Sequence, residues 1–208
     1  MLQEYFVREA LKEIGVRPRM GDVQIDHALG QNEVYGLKFG IKYPREYLRR
    51  ADLIPITRKY KYAFSGNMQA GGRRKEMLAT FEGPESFIEA SQYGRNRKTK
   101  YSFNEEYYTL IRSSYFSLCP HQADWTGPVE SMWTYRFIES TFAKSLPIVF
   151  RLAPCSEVFM QGFQYYWDDA VHSLENYEEK LEANRRLAEE RFFFTTEEVD
   201  RIKQAARR

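Results

Sequence analysis

One stretch, Ser113 to Arg151, constrains the fold of this chain more than any other. It opens with a strand-length apolar run, Tyr115 to Cys119 (YFSLC), stopped by Pro120. A polar loop then runs from Pro120 to Glu130 (PHQADWTGPVE) and leads into a segment of helical length, Ser131 to Ser145 (SMWTYRFIESTFAKS). A second apolar strand, Leu146 to Phe150 (LPIVF), follows. Strands that are apolar throughout, rather than alternating, are buried on both faces, and a helix between them is the crossover that parallel pairing requires.

Neighbouring segments extend the alternation. Tyr60 to Ser65 (YKYAFS) reads as a strand ending at Gly66-Asn67, Arg74 to Phe81 as the helix after it, and Glu85 to Glu89 as a short strand. Asn104 to Ser113 is a helix with Asn104 as its cap. Glu157 to Gly162 and Asp169 to Ala188 read as closing helices, the second with an exposed i,i+4 charged face. Asp168-Asp169 is read as a loop in which Asp169 caps that helix, and Thr195 followed by Glu197 and Glu198 starts a last helix. This pattern predicts an α/β fold: one Rossmann-like domain over residues 59–208, with a parallel sheet and helices on both faces. Residues 1–58 form a small amino-terminal lobe. Its elements are an amphipathic helix from Leu2 to Ile14 closed by Gly15, short strands or loops at Val23 to Ile25 and Val34 to Ile41, and a connector from Tyr43 to Arg58.

A chain of 208 residues suits one well-buried core plus a small lobe and is too short for two full Rossmann domains. Mean hydropathy of -0.63, with no apolar run near the roughly 20 residues that cross a bilayer, predicts no membrane span. The charged amino terminus is unlike a signal peptide, so a cytoplasmic protein is expected. Cys119 and Cys155 lack C-x-x-C spacing and read as two buried, reduced thiols rather than a zinc site or disulfide framework. Net charge is only +2, yet Gly71 to Lys75 (GGRRK) and Gly94 to Lys100 (GRNRKTK) are basic runs. They read as solvated loops or as a pair of phosphate-facing loops.

In an open parallel sheet, ligands bind at the carboxyl ends of the strands. The Pro120 to Glu130 loop leaves such an end and is too long for a mere connector. The next helix points its amino terminus, with free N–H groups and a positive dipole end, back over the same crevice, which suits a diphosphate. Arg136 and Glu139, three residues apart, share one helix face. Arginine forks two phosphate oxygens and glutamate accepts from both ribose hydroxyls, although an ordinary surface ion pair would use the same spacing. Trp125 and Trp133 flank the loop as candidates for stacking on a sugar or base. General-base candidates are His121, Asp124 and Glu130 in the loop, and Asp26 or His27 in the amino-terminal lobe. No D-x-D triplet occurs, and this reading requires no metal and no cofactor beyond the donor.

These residues resemble the carboxyl-terminal donor half of the exostosin-like glycosyltransferases. The similarity rests on Ser114-Tyr115-Phe116-Ser117-Leu118-Cys119-Pro120, on Thr134-Tyr135-Arg136-Phe137-Ile138-Glu139-Ser140, and on Leu146-Pro147-Ile148-Val149. Upstream, Phe64-Ser65-Gly66-Asn67 and then Arg73-Arg74 are similar to that family's strand end and following arginine. The resemblance implies half of a GT-B fold that binds a nucleotide-sugar donor and passes the sugar to an unidentified acceptor. It implies that Arg136 contacts the diphosphate and Glu139 the ribose, with Gly66, Arg73, Arg74, Pro120 and Thr134 completing the donor site. It also implies an acceptor side supplied by a reduced lobe, a homodimer or a partner chain. Two other readings stay open: a non-catalytic nucleotide or nucleotide-sugar binding module, and a nucleic-acid-binding or nucleic-acid-modifying protein whose aromatics stack on bases beside the basic runs.

Overall fold

The computed structural model describes residues 2–26, 30–67, 71–91, 103–121, 133–152 and 154–207. Its centre is a five-stranded parallel sheet of β4 (Tyr60–Asn67), β5 (Ser86–Ser91), β6 (Ser114–Leu118), β7 (Leu146–Val149) and β8 (Tyr166–Trp167). The strands lie in the order β5-β4-β6-β7-β8. From β4 the chain passes through α3 (Gly71–Ala79) to β5 on one side. It returns through α4 (Glu105–Arg112) to β6 on the other side of β4, and continues outward through α5 (Tyr135–Phe142) to β7. The strand order therefore reverses between β4 and β6, and the architecture is Rossmann-like.

The sheet separates two cores, and β7 and β8 place successive side chains in one and then the other, as the period of two demands. Phe64, Phe116, Leu118, Leu146 and Ile148 pack against Met77 and Leu78 of α3 and Tyr177 and Leu181 of α7 (Tyr177–Phe192). On the opposite face Val149 joins Tyr107, Tyr108 and Ile111 of α4, Phe137, Ile138 and Phe142 of α5, and residues of the amino-terminal segment. Helices thus cover both faces. Asn104 caps α4 by accepting from the Tyr107 amide, as its sequence position predicts.

The amino-terminal segment contains α1 (Leu2–Glu13) and an antiparallel sheet of β1 (Val23–Asp26), β2 (Gln31–Val34) and β3 (Leu37–Gly40). Gly15, at φ +79, closes α1 while the Val16 amide donates to the Leu11 carbonyl. Val34 to Ile41 is not one strand, because Tyr35 and Gly36 both take positive φ and turn β2 into β3. A third core joins Val7, Leu11, Val34 and Phe39 to Phe194 and to Ile202 of α8 (Thr196–Ala205). The chain's carboxyl-terminal helix therefore packs with its amino-terminal elements. Lys42 fastens this junction from a buried position, donating to the Phe193 carbonyl at 3.0 Å and to Glu198 at 2.8 Å.

Three expectations need correction. The Tyr43 to Arg58 connector contains a helix, α2 (Arg45–Leu53). Its prolines bound the helix instead of breaking it, since Pro44 occupies the N-cap and Pro55 lies beyond the last turn. Tyr47, Leu48 and Ala51 bury one face, and the Glu13 carboxylate of α1 caps the amino-terminal end by accepting from the Arg45 and Glu46 amides at 2.7 and 2.9 Å.

The long closing helix begins at Tyr177, not Asp169, and is preceded by β8. A two-residue strand has no periodic signature of its own; it forms because β7 presents an open edge to it. Asp169 accordingly caps nothing and pairs with Arg151. The segment from Glu157 shortens to one turn, α6 (Glu157–Met160). The Thr195 cap forms as read, as a full capping box with Glu198.

Candidate functional site

The carboxyl ends of β4 and β6 meet where the strand order reverses, which is where open α/β sheets leave a crevice. α5 begins above this point. Its N-cap Thr134 is extended and half-buried, and makes no side-chain capping bond. The first turn therefore carries N–H groups that no Thr134 hydroxyl satisfies.

Arg136 lies in that first turn and reaches back to β4. Its Nε and one Nη donate to the Ser65 carbonyl at 3.2 and 3.1 Å, and its Cζ sits 4.5 Å from the centre of the Phe64 ring. A Cβ on Gly66 would lie 1.7 Å from that Nη. Gly66 shows no positive φ among the glycines that have one, so its side chain is excluded by space and not by backbone conformation. What approaches this glycine closely is the arginine itself. Beside it, the Ser65 hydroxyl donates to Glu89 of β5 at 2.7 Å.

Cys119 lies within reach of the guanidinium's charge, and Cys155 neighbours Cys119. Burial pushes Cys119 up to about 12, outweighing the nearby positive charge of Arg136 and a hydrogen bond with Ser140. Cys155 is also pushed up, by burial and then by the neighbouring Cys119. Both are free and fully buried, as the sequence predicts.

The remaining predicted residues fall into three groups. Glu139 is on α5 one turn beyond Arg136 and is 1% exposed, among buried Phe137, Ile138, Ser140 and Thr141. Arg136 is half-buried, so the shared face is open at one end and closed at the other. A ribose reaches Glu139 only if its cover moves. Pro120 and His121 follow β6 and are buried, His121 keeping 8% exposure, while Arg74 on the first turn of α3 keeps 7%. Asp26 is exposed at the end of β1, in the lobe. His27, Asp124, Trp125, Glu130 and the Gly94 to Lys100 run lie outside the described residues, as does the side chain of Arg73.

Trp133 is corrected. It is 8% exposed and packs edge-on against Tyr135 at 4.5 Å and tilted against Phe159 at 5.9 Å. Its ring is a core component and offers no face to a sugar.

A polar group at the ends of β7 and β8 escaped the sequence reading. The Arg151 amide donates to Asp168 at 2.9 Å, its guanidinium forks Asp169 at 2.8 and 3.0 Å, and its Cζ lies 4.8 Å from the centre of the Trp167 ring. The hydrogen bond from Arg151 holds the Asp169 carboxyl below its ordinary range. The one available signal was an aromatic pair, Tyr166-Trp167, ended abruptly by two aspartates.

Among the described residues, no group of three His, Cys, Asp or Glu side chains is placed to hold a metal ion, and no helix is long and apolar enough to cross a membrane. No family model matches the chain, and no curated protein matches it.

Proposed function

We propose that this chain binds a nucleotide-sugar at the carboxyl edge of its parallel sheet and transfers the sugar to an acceptor, in the manner of an exostosin-like glycosyltransferase acting in the cytoplasm. The observation that carries the reading is the placement of Arg136. A guanidinium on the first turn of a helix, over a glycine, at the strand-order reversal, is held before any ligand arrives by the Ser65 carbonyl and the Phe64 ring. Arginine stays charged under all working conditions and offers five donors in a plane. Holding it in advance lowers the ordering cost of binding a diphosphate, and the helix dipole adds to the same field.

The same group serves the reaction. As the bond from the sugar to the diphosphate breaks, negative charge grows on the leaving oxygen, and a fixed cation in a half-buried site stabilises it most. His121, next to the β6 end, is the base candidate nearest this point in the chain, and it would take the acceptor hydroxyl's proton. Glu139 would meet the ribose after its covering side chains rotate. The acceptor side would come from the lobe, a second copy or a partner chain.

The burial of Glu139 favours one alternative, a module that binds the diphosphate part of a nucleotide without turnover. A thermal-shift screen of UDP-, GDP-, dTDP- and CMP-sugars tests both. At saturating donor the melting temperature rises, and Arg136→Ala removes the rise. Release of free sugar or its transfer from the stabilising donor selects the transferase. Stabilisation without turnover selects the binding module, and no stabilisation by any donor rejects both.

A further inference from the structure

We propose that the exposed side of α1, with α2 beside it, is a docking groove for a nucleic-acid strand. Two cavities flank this side. One, of about 720 Å3, lies between α1 and α2 and includes Lys12, Arg45, Arg49 and Arg50 in its lining. The other, of about 610 Å3, lies between α1 and the turn that follows it and includes Arg8 and Arg17. Tyr5, Glu9 and Lys12 line both, so the two form one continuous path around the helix.

The charge along this path is unbalanced in a specific way. Of the carboxylates lining it, Glu13 is occupied by the α2 amides and Glu9 by Lys12 at 2.5 Å, which leaves Glu46 exposed among the arginines. Arg8 is likewise committed, to Glu4 at 3.0 Å, but the other arginines are not. Arg17, Arg45, Arg49 and Arg50 are exposed and have no ion-pair partner among the described residues. Elsewhere, Arg151 and Arg185 are bound to Asp169 and Asp52. Two of the groove's guanidinium groups are also held in place from below, Arg45 over the Phe193 ring at 4.6 Å and Arg50 over Phe103 at 4.4 Å. Cations without internal partners, presented on rigid supports, keep their attraction for an outside anion.

The form of that anion follows from the residue types. Five of the six cations named are arginines, whose planar forks fit phosphate oxygens two at a time. Half-buried Tyr5, packed against Phe6 at 5.9 Å, lines both cavities, and an aromatic set among arginines is the residue type on which single strands stack bases without regard to sequence. α1, at 12 residues, is about 18 Å long, room for a few nucleotides. The neighbouring Phe6 ring packs edge-on against Tyr135, the first residue of α5, at 5.6 Å. α5 thus lies on the buried side of α1, away from the groove, and this inference does not depend on any donor binding at Arg136.

Fluorescence anisotropy with labelled single-stranded RNA and DNA of about 20 nucleotides tests the proposal. Binding is expected to weaken steeply between about 50 and 200 mM salt, at roughly 0.7 log units per log unit of salt for each phosphate engaged. Arg45→Glu, Arg49→Glu and Arg50→Glu together are expected to weaken binding at least tenfold and flatten the salt dependence. Arg17→Glu with Arg49→Glu provides a second variant that leaves both ring-stacked arginines in place, and thermal melts confirm that each variant folds. Arg201→Glu with Lys203→Glu, on the exposed side of α8, serves as the charge control and is expected to change little. The proposal is overturned by the absence of saturable binding at low salt, by groove variants that bind like the control, or by poly-glutamate competing as well as the oligonucleotide.

Discussion

Gly66 and Arg136 occupy one space: a methyl group on the glycine would stand 1.7 Å from the arginine's Nη. The overlap is with the far end of a flexible side chain, so Gly66→Ala is expected to fold, with the guanidinium displaced from the Ser65 carbonyl. A stability loss of about 1 kcal/mol is expected from the lost hydrogen bonds and local overpacking. In the Arg136→Ala background the same substitution is expected to cost much less. Urea unfolding of the wild type, both single variants and the double variant measures this coupling. Additive losses would show that the two residues do not compete for the space.

His172 makes stability depend on pH. Its Nε2 lies 2.9 Å from the Trp167 carbonyl, which only accepts, so Nε2 carries the proton and Nδ1 accepts from the Tyr62 hydroxyl, also at 2.9 Å. Burial lowers its pKa; Lys61 adds to this, while the Trp167 carbonyl and Asp168 oppose it. The unfolded chain therefore takes up a proton near pH 6.5 more readily than the native one. The stability due to neutral His172 is complete above about pH 6.5 and is lost as pH falls below it, with a slope of at most about 1.4 kcal/mol per pH unit. His172→Gln is expected to flatten the urea midpoint between about pH 7 and 5 relative to wild type. An unchanged slope would assign the acid sensitivity to other groups.

The two cysteines are expected to be inert. With Cys119 near 12, its thiolate fraction at pH 8 is roughly one in ten thousand, and burial closes off the reagent as well. Iodoacetamide labelling of the native protein should proceed at the rate of transient opening, and added urea should accelerate it toward that of free cysteine. Fast native labelling would mean that the region near Arg136 opens readily.

Asp52 holds Arg185 at 2.6 Å and lies 3.9 Å from buried Arg112. Asp52→Ala leaves Arg112, 5% exposed at its side chain, beside the positive charges of Arg58 and Arg185 with no ion-pair partner among the described residues. Because Asp52 itself keeps 40% exposure, solvent screens the pair, and a loss of about 1–2 kcal/mol is expected by denaturant unfolding. A neutral result would show that water replaces the carboxylate.

Much of the fold was legible because apolar runs such as Leu146 to Phe150, and the crossover segments between them, carry their signature locally. Asn104 and Thr195 worked as caps for the same reason, since a cap depends on a bond three residues away. Expectations failed where an element depends on a distant neighbour. β8 exists through β7, α2 is capped by Glu13 of α1, and Trp133 is covered by residues from several elements. Spacing placed Arg136 and Glu139 on one helix face but carried no information about depth, and depth separates a half-buried arginine from a closed glutamate.

The sequence by itself determined the periodic elements, their alternation and the chemistry available at each position, because these follow from side-chain type and from hydrogen bonds spanning a few residues. Only the tertiary structure decided that Arg136 rests on Gly66, 70 positions away, and that α8 closes the amino-terminal core. Those pairings depend on which surfaces meet once the helices pack, and excluded volume between distant residues leaves no mark on either local pattern.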